Sequence, residues 1–94
     1  MNTSMRLTIP DHVLHQNLQG ETILLDLDRG TYLGLDGVGT RFWEVISERG
    51  ELAKAVDTIL EEYQVERAEL EADLMSLVDE LVERGLLTVS DTLD

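Results

Sequence analysis

Gly30-Thr-Tyr-Leu-Gly-Leu-Asp-Gly-Val-Gly-Thr-Arg-Phe-Trp-Glu-Val-Ile46 is the stretch that decides the fold, a short apolar strand passing through a cap into an amphipathic helix. Residues 31–35 follow a turn signal at Asp28-Arg29-Gly30 and contain strand-forming side chains, with no charge and no proline. A strand like this at the end of a sheet is a template for any extended chain, because its outer N–H and C=O groups are unpaired. Native edges are therefore usually blunted by lysine, proline or a bulge. This one is not, and the use predicted for it is the docking of an extended peptide as an added strand.

On the N-terminal side, 21–27 is the strongest strand of the chain, and its Ile23, Leu25 and Leu27 fall on one face by the two-residue period. Residues 13–18 form a weaker strand with a polar middle, His15-Gln-Asn17, joined to 21–27 by Gln19-Gly20. Connections this short predict an antiparallel meander with 21–27 in the centre. Its edges are 13–18 and 31–35, and only the second is uncharged throughout. Residues 5–9 read as an extended arm stopped by Pro10, with no pairing assignable from the pattern.

On the C-terminal side, Asp36 is placed to cap a first helix running to about Glu48, with Val38, Phe42, Val45 and Ile46 in one stripe and Trp43 beside it. Gly50 ends it. A second helix over 51–63 repeats one buried face at Leu52, Val56, Ile59, Leu60 and Tyr63, and a third runs from about Glu66 to Arg84, stopped by Gly85. Residues 86–89 are a short strand or an apolar tail over the core, and 90–94 read as frayed. The expected fold is α+β and winged-helix-like: an N-terminal three-stranded antiparallel sheet followed by three helices. It forms one domain over 1–94, with its core at about 13–89 and flexible ends.

The third helix carries the second functional signal. At 100° per residue Leu70, Leu74, Leu77 and Leu81 form a tight stripe, which Met75, Val78 and Val82 widen to one side. The apolar arc spans roughly 160°, more than the ~100° one core contact needs. A helix packed on two neighbours buries a wide arc anyway. If part of the arc is free, a groove lies between this helix and strand 31–35, with backbone groups on one wall and leucines on the other.

Composition excludes several functions. The net charge is −13, from 20 acidic and 7 basic residues, and the basic ones (Arg6, Arg29, Arg41, Arg49, Lys54, Arg67, Arg84) are scattered singly. In 66–84 seven acidic residues (Glu66, Glu69, Glu71, Asp73, Asp79, Glu80, Glu83) face two basic ones, Arg67 and Arg84. No helix of that charge reads a nucleic-acid groove, since such binding depends on neutralising phosphates. There is no cysteine, hence no disulfide, thiolate metal site or cysteine nucleophile. Neither a signal-peptide run nor a membrane-length apolar segment is present, and a cytoplasmic location with no membrane partner is expected. His12 and His15 have no carboxylate partner at helical spacing, so neither catalysis nor a metal is expected. Asp26-Leu-Asp-Arg-Gly30 begins like a calcium loop, but Gly30 stands where a third ligand is needed and Gly37 where the bidentate glutamate belongs. A hairpin turn accounts for these residues.

The run Leu25 to Ile46, followed by an amphipathic helix and a Leu/Val-rich final helix closing on Arg84-Gly-Leu-Leu87, resembles the PqqD-like precursor-recognition proteins, and within them the stand-alone recognition proteins of bacterial lasso-peptide pathways. The resemblance covers nearly the whole chain after Val13 and has no catalytic signature, which implies a protein that is not an enzyme and has no cofactor. It implies that the N-terminal leader of a ribosomally made precursor adds as a strand and is handed to a leader peptidase and an ATP-dependent cyclase. Carried onto this chain, the strand is Thr31, Tyr32, Leu33, Gly34 and Leu35. The helix wall draws on Glu69, Leu70, Asp73, Leu74, Leu77 and Leu81, with the Met75, Val78 and Val82 flank as the alternative. Two other readings stand beside this one: a PqqD-type chaperone of a different precursor or cofactor pathway, and a structural module whose edge pairs with its own copy.

Overall fold

The computed structural model describes residues 5–35 and 37–90. The predicted cap Asp36 and residues 91–94 of the predicted frayed tail lie outside the described residues. Strands β2 (Val13–Leu18), β3 (Glu21–Asp26) and β4 (Thr31–Leu35) form an antiparallel sheet in the order β2-β3-β4. Helices α1 (Gly37–Arg49), α2 (Leu52–Glu62) and α3 (Arg67–Glu83) follow. The β2–β3 hairpin turns on Gln19 and Gly20, both at positive φ (55° and 86°), the backbone that matches the twist of two tightly linked strands. Gly85, at φ 78°, ends α3 as expected.

The N-terminal arm finds its partner at the far end of the chain. Strand β1 (Arg6–Thr8) pairs antiparallel with β5 (Thr88–Ser90), with Leu7 opposite Val89. Ser90 therefore belongs to a strand rather than a frayed end. Leu7 donates its N–H to the Gly50 carbonyl at 2.7 Å and is buried, which extends the core to the N-terminal side of residue 13. Leu86 and Leu87 are buried ahead of β5 and close the core beneath it. Tyr63, read as part of the second helix's buried face, lies beyond the helix end and is exposed, because the chain leaves α2 at Glu62.

The sheet turns its less apolar face to the helices. Ile23, Leu25 and Leu27 do share a side, but it is the solvent side: Leu25 is 38% exposed and Leu27 55%, whereas Leu24 is fully buried against the helices together with Thr22 and Asp26. Hydrogen bonds make the polar pair tolerable there. Asp26 accepts the N–H groups of Asp28 and Arg29 at 2.9 and 3.1 Å, and the Thr22 N–H is held by the Thr40 hydroxyl at 3.1 Å. Buried polar groups with partners carry little penalty. His12, which has no carboxylate at helical spacing, sits 3.9 Å from Asp26 and 3.6 Å from Asp28, and its Nε2–H donates to the Gly85 carbonyl at 3.1 Å. That contact ties the start of β2 to the end of α3.

On the surface Arg41 of α1 grips both carboxylate oxygens of Glu62 of α2, at 2.8 Å each. That bond holds the Glu62 carboxyl below its usual range and raises the arginine further. Its stabilisation is present above the ordinary carboxylate range and is lost as the pH falls through the depressed value. Among the described residues no helix is long and apolar enough to cross a membrane.

Two outcomes are expected. Leu24→Ala should cost ~2–5 kcal/mol by urea denaturation, as for other fully buried leucines, while Leu25→Ala on the open face should cost under about 1 kcal/mol. Glu62→Gln should flatten part of the acid limb of the stability–pH curve.

Candidate functional site

A cleft of about 380 Å³ opens between β4 and α3. One wall is the side chains of Leu33 and Leu35 with the backbone of Gly34 between them, and the other is Glu69, Leu70, Asp73, Leu74, Leu77 and Glu80. Val38 and Gly39, in the first turn of α1, form its floor. A Cβ on Gly39 would lie 3.5 Å from Leu35 Cβ and 3.9 Å from Leu77 Cδ2, so this position sits where the strand and helix walls converge. Among the described residues β4 pairs only with β3. Alternate N–H and C=O groups of β4 are thus left facing the cleft side.

The inward side chains of α3 divide between two tasks. Leu74 is 1% exposed and Leu81 fully buried, and both belong to the core with Leu70 and Val78. Leu77 is only half-buried, which leaves it free to offer apolar surface to the cleft. Of the expected site residues, the structure brings together Leu33, Gly34, Leu35, Glu69, Leu70, Asp73, Leu74 and Leu77. Leu81 does not line the cleft, because it points beneath it into the core. Thr31 and Tyr32 lie on the same strand but outside the cleft lining, and Tyr32 stands on the opposite face of the sheet. The alternative flank of Met75, Val78 and Val82 is not part of the lining.

Val38, Gly39, Val65 and Glu80 complete the lining and were not expected. Glu80 was legible, since it follows Asp73 and Leu77 at helical spacing. Val65 was not, because its place depends on how the α2–α3 loop folds back. The rim is acidic: Glu80 is paired with Arg84 at 3.1 Å, whereas Glu69 and Asp73 have no ion-pair partner among the described residues. Two like charges four residues apart on a helix repel weakly, and an incoming cation relieves that repulsion.

Thr40 holds the floor of the cleft against its strand wall. Its hydroxyl accepts the Thr22 N–H at 3.1 Å and donates to the Leu35 carbonyl at 3.0 Å, fixing α1 to both β3 and β4 where the strand becomes the helix. Among the described residues no group of three or more His, Asp or Glu side chains is placed to hold a metal ion.

Fold and cleft together define a small winged-helix-like α+β domain with an open sheet edge beside an apolar helix. Residues 21–87 match the family model described as coenzyme PQQ synthesis protein D (PqqD), and the chain belongs to the PqqD family. Two solved structures share the fold. One, TbiB1 in complex with the TbiA(beta) leader peptide, has a TM-score of 0.80 and 36% identity, over 92% of this chain and 98% of that one. The other, lasso peptide synthetase B1 complexed with the leader peptide, has a TM-score of 0.80 at 23% identity, over 88% of this chain and 98% of that one. No curated protein matches the chain.

Thr40→Val keeps the shape of the side chain but orphans the Thr22 N–H and the Leu35 carbonyl, and should cost ~1–3 kcal/mol in urea denaturation. Leu77→Ala should cost clearly less than Leu81→Ala, for which a fully buried leucine predicts ~2–5 kcal/mol.

Proposed function

We propose that this chain binds the N-terminal leader of a ribosomally synthesised precursor peptide by strand addition to Thr31–Leu35, in the cleft against α3. It then delivers the precursor to a leader peptidase and an ATP-dependent cyclase of lasso-peptide biosynthesis. The observation that carries this reading is the free edge of β4 facing Leu77 across an apolar cleft. Membership of the PqqD family supports it, as does 36% identity to TbiB1, a protein solved with a leader peptide bound. In this role the chain is a cytoplasmic binding module and has no catalytic step of its own.

The energetics assign different tasks to the two walls. Ordering an extended peptide costs ~1–2 kcal/mol per residue in backbone freedom. Each added-strand hydrogen bond returns a net ~0.5–1.5 kcal/mol, and only alternate residues make them. Strand pairing alone therefore leaves a deficit. It sets the register, and apolar anchors worth ~1.5–3 kcal/mol each supply the affinity. The pocket around Val38, Leu74 and Leu77 receives such an anchor. The carboxylates of Glu69 and Asp73, without an ion-pair partner among the described residues, attract basic leader residues at the rim.

Leu77 separates binding from folding better than Leu74, which doubles as core. In a fluorescence-anisotropy titration with labelled candidate leaders, Leu77→Ala should weaken binding about tenfold or more, the equivalent of ~1.5 kcal/mol. Glu61→Ala, on an exposed face of α2, should leave it within about twofold. Equal effects from the two would remove the cleft from the mechanism. Affinity for leaders with basic residues should fall between low and high salt, and Glu69→Gln with Asp73→Asn should flatten that dependence. Light scattering that shows a dimer unchanged in excess leader would mean that the edge is occupied by a second copy.

A further inference from the structure

The cleft uses one side of β4. On the other side, the outer face of the sheet carries Leu14, Gln16, Ile23, Leu25 and Tyr32 around a shallow depression of about 360 Å³. Its apolar groups are open to solvent, Tyr32 at 73% and Leu14 at 51%. Gly34 does not line the depression itself but lies beside it on the edge strand, two residues from Tyr32. That residue lies opposite Ile23 in the sheet register, and a Cβ on it would be in ordinary contact with Ile23 Cδ1 at 3.6 Å. Gly34 is not among the residues with positive φ, so backbone conformation does not demand a glycine. Glycine weakens a strand, and close approach of another chain is one of the uses a strand interior makes of it. Its effect here is an opening, through which a group arriving from the edge reaches Ile23 with the Tyr32 ring at its flank.

A peptide strand beside β4 sends alternate side chains to opposite faces. Those turned toward α3 enter the cleft, and the intervening ones stand on the outer face. The outward residue opposite Gly34 has its Cβ about 5 Å across from a position that has no side chain of its own. A long or aromatic side chain there folds over the glycine onto Ile23, the arrangement by which aromatic neighbours rescue strand glycines. The depression reaches β4 itself through Tyr32, the strand to whose free edge the leader is proposed to add, so its occupant is taken to be the same peptide.

Building on the leader-binding reading above, we propose that the outer face is a second specificity pocket for the bound peptide, taking a bulky apolar or aromatic side chain at the outward position opposite Gly34. The peptide is then read on both faces of one strand. The segment recognised carries two consecutive anchors, one inward and one outward, instead of strict apolar–polar alternation. A one-residue slip would send each to the wrong face, so the pair also locks register.

The test uses a phage-displayed library of twelve-residue peptides selected on the intact chain, keeping only binders lost on Leu77→Ala. Kept peptides should carry a bulky apolar residue next to a cleft anchor, and changing it to alanine should weaken binding to the wild-type chain about tenfold. Gly34→Val fills the opening with a residue that strands favour. It should bind the same peptides about tenfold more weakly and lose most of its preference for the bulky residue, while still melting cooperatively. Tyr32→Ser, at an exposed position, should give a smaller loss in the same direction and guards against a folding defect in the valine variant. If wild type shows no size preference beside the anchor, or both variants bind the kept peptides as tightly as wild type, the outer-face pocket is wrong and the cleft reading stands. If no binder depends on Leu77, the cleft reading fails and takes the second pocket with it.

Discussion

One buried hydroxyl fixes the relation between sheet and helices. Thr40 bonds at once to the Thr22 N–H of β3 and the Leu35 carbonyl of β4, so the first helix cannot tilt without breaking contact with both strands. The cleft depends on this joint, because Val38 and Gly39, just before Thr40, form its floor. The third helix then packs Leu70, Leu74, Val78 and Leu81 into the core and leaves Leu77 partly uncovered. With α1 anchored at the strand end and α3 anchored in the core, the gap between β4 and α3 is held open by packing on both sides.

Charge plays a different part from packing. The arginine ion pairs among the described residues, Arg6 with Glu51, Arg41 with Glu44 and Glu62, Arg67 with Asp57 and Glu71, and Arg84 with Glu80, are all on the surface, where such contacts contribute little to stability. They nevertheless sort the acidic residues. Glu62, Glu71 and Glu80 are matched by arginines, whereas Glu69 and Asp73 at the cleft rim have no ion-pair partner among the described residues. In the proposed role these rim carboxylates are the groups that would meet basic residues of the leader.

The helices and the edge strand were legible because each has a period that needs no knowledge of its neighbours. Leu70, Leu74 and Leu77 repeat at helical spacing, and the uncharged run at Thr31–Leu35 announces an edge on its own. The face of the sheet was not legible from the same kind of pattern. Ile23, Leu25 and Leu27 outrank Thr22 and Asp26 on any hydrophobic scale. The latter pair is buried because the backbone of the next turn and the Thr40 hydroxyl supply their hydrogen bonds, and those partners arrive only with the fold. The apolar side left outside is the surface that carries the second proposed pocket. His12 followed the same course, since its carboxylate neighbours are far away on the helical spacing and close only in space.

The amino-acid sequence by itself determined the three-stranded meander, the three helices, the acidic surface, the unblunted edge and the family resemblance, because local periodicity, turn chemistry and charge are properties of neighbouring residues. Tertiary structure alone decided that β1 pairs with β5, that Leu81 is core while Leu77 faces the cleft, and that the sheet presents its more apolar side to solvent. Each of these is a competition among distant groups for one buried volume, settled by which side chains fit together and which polar atoms find partners there.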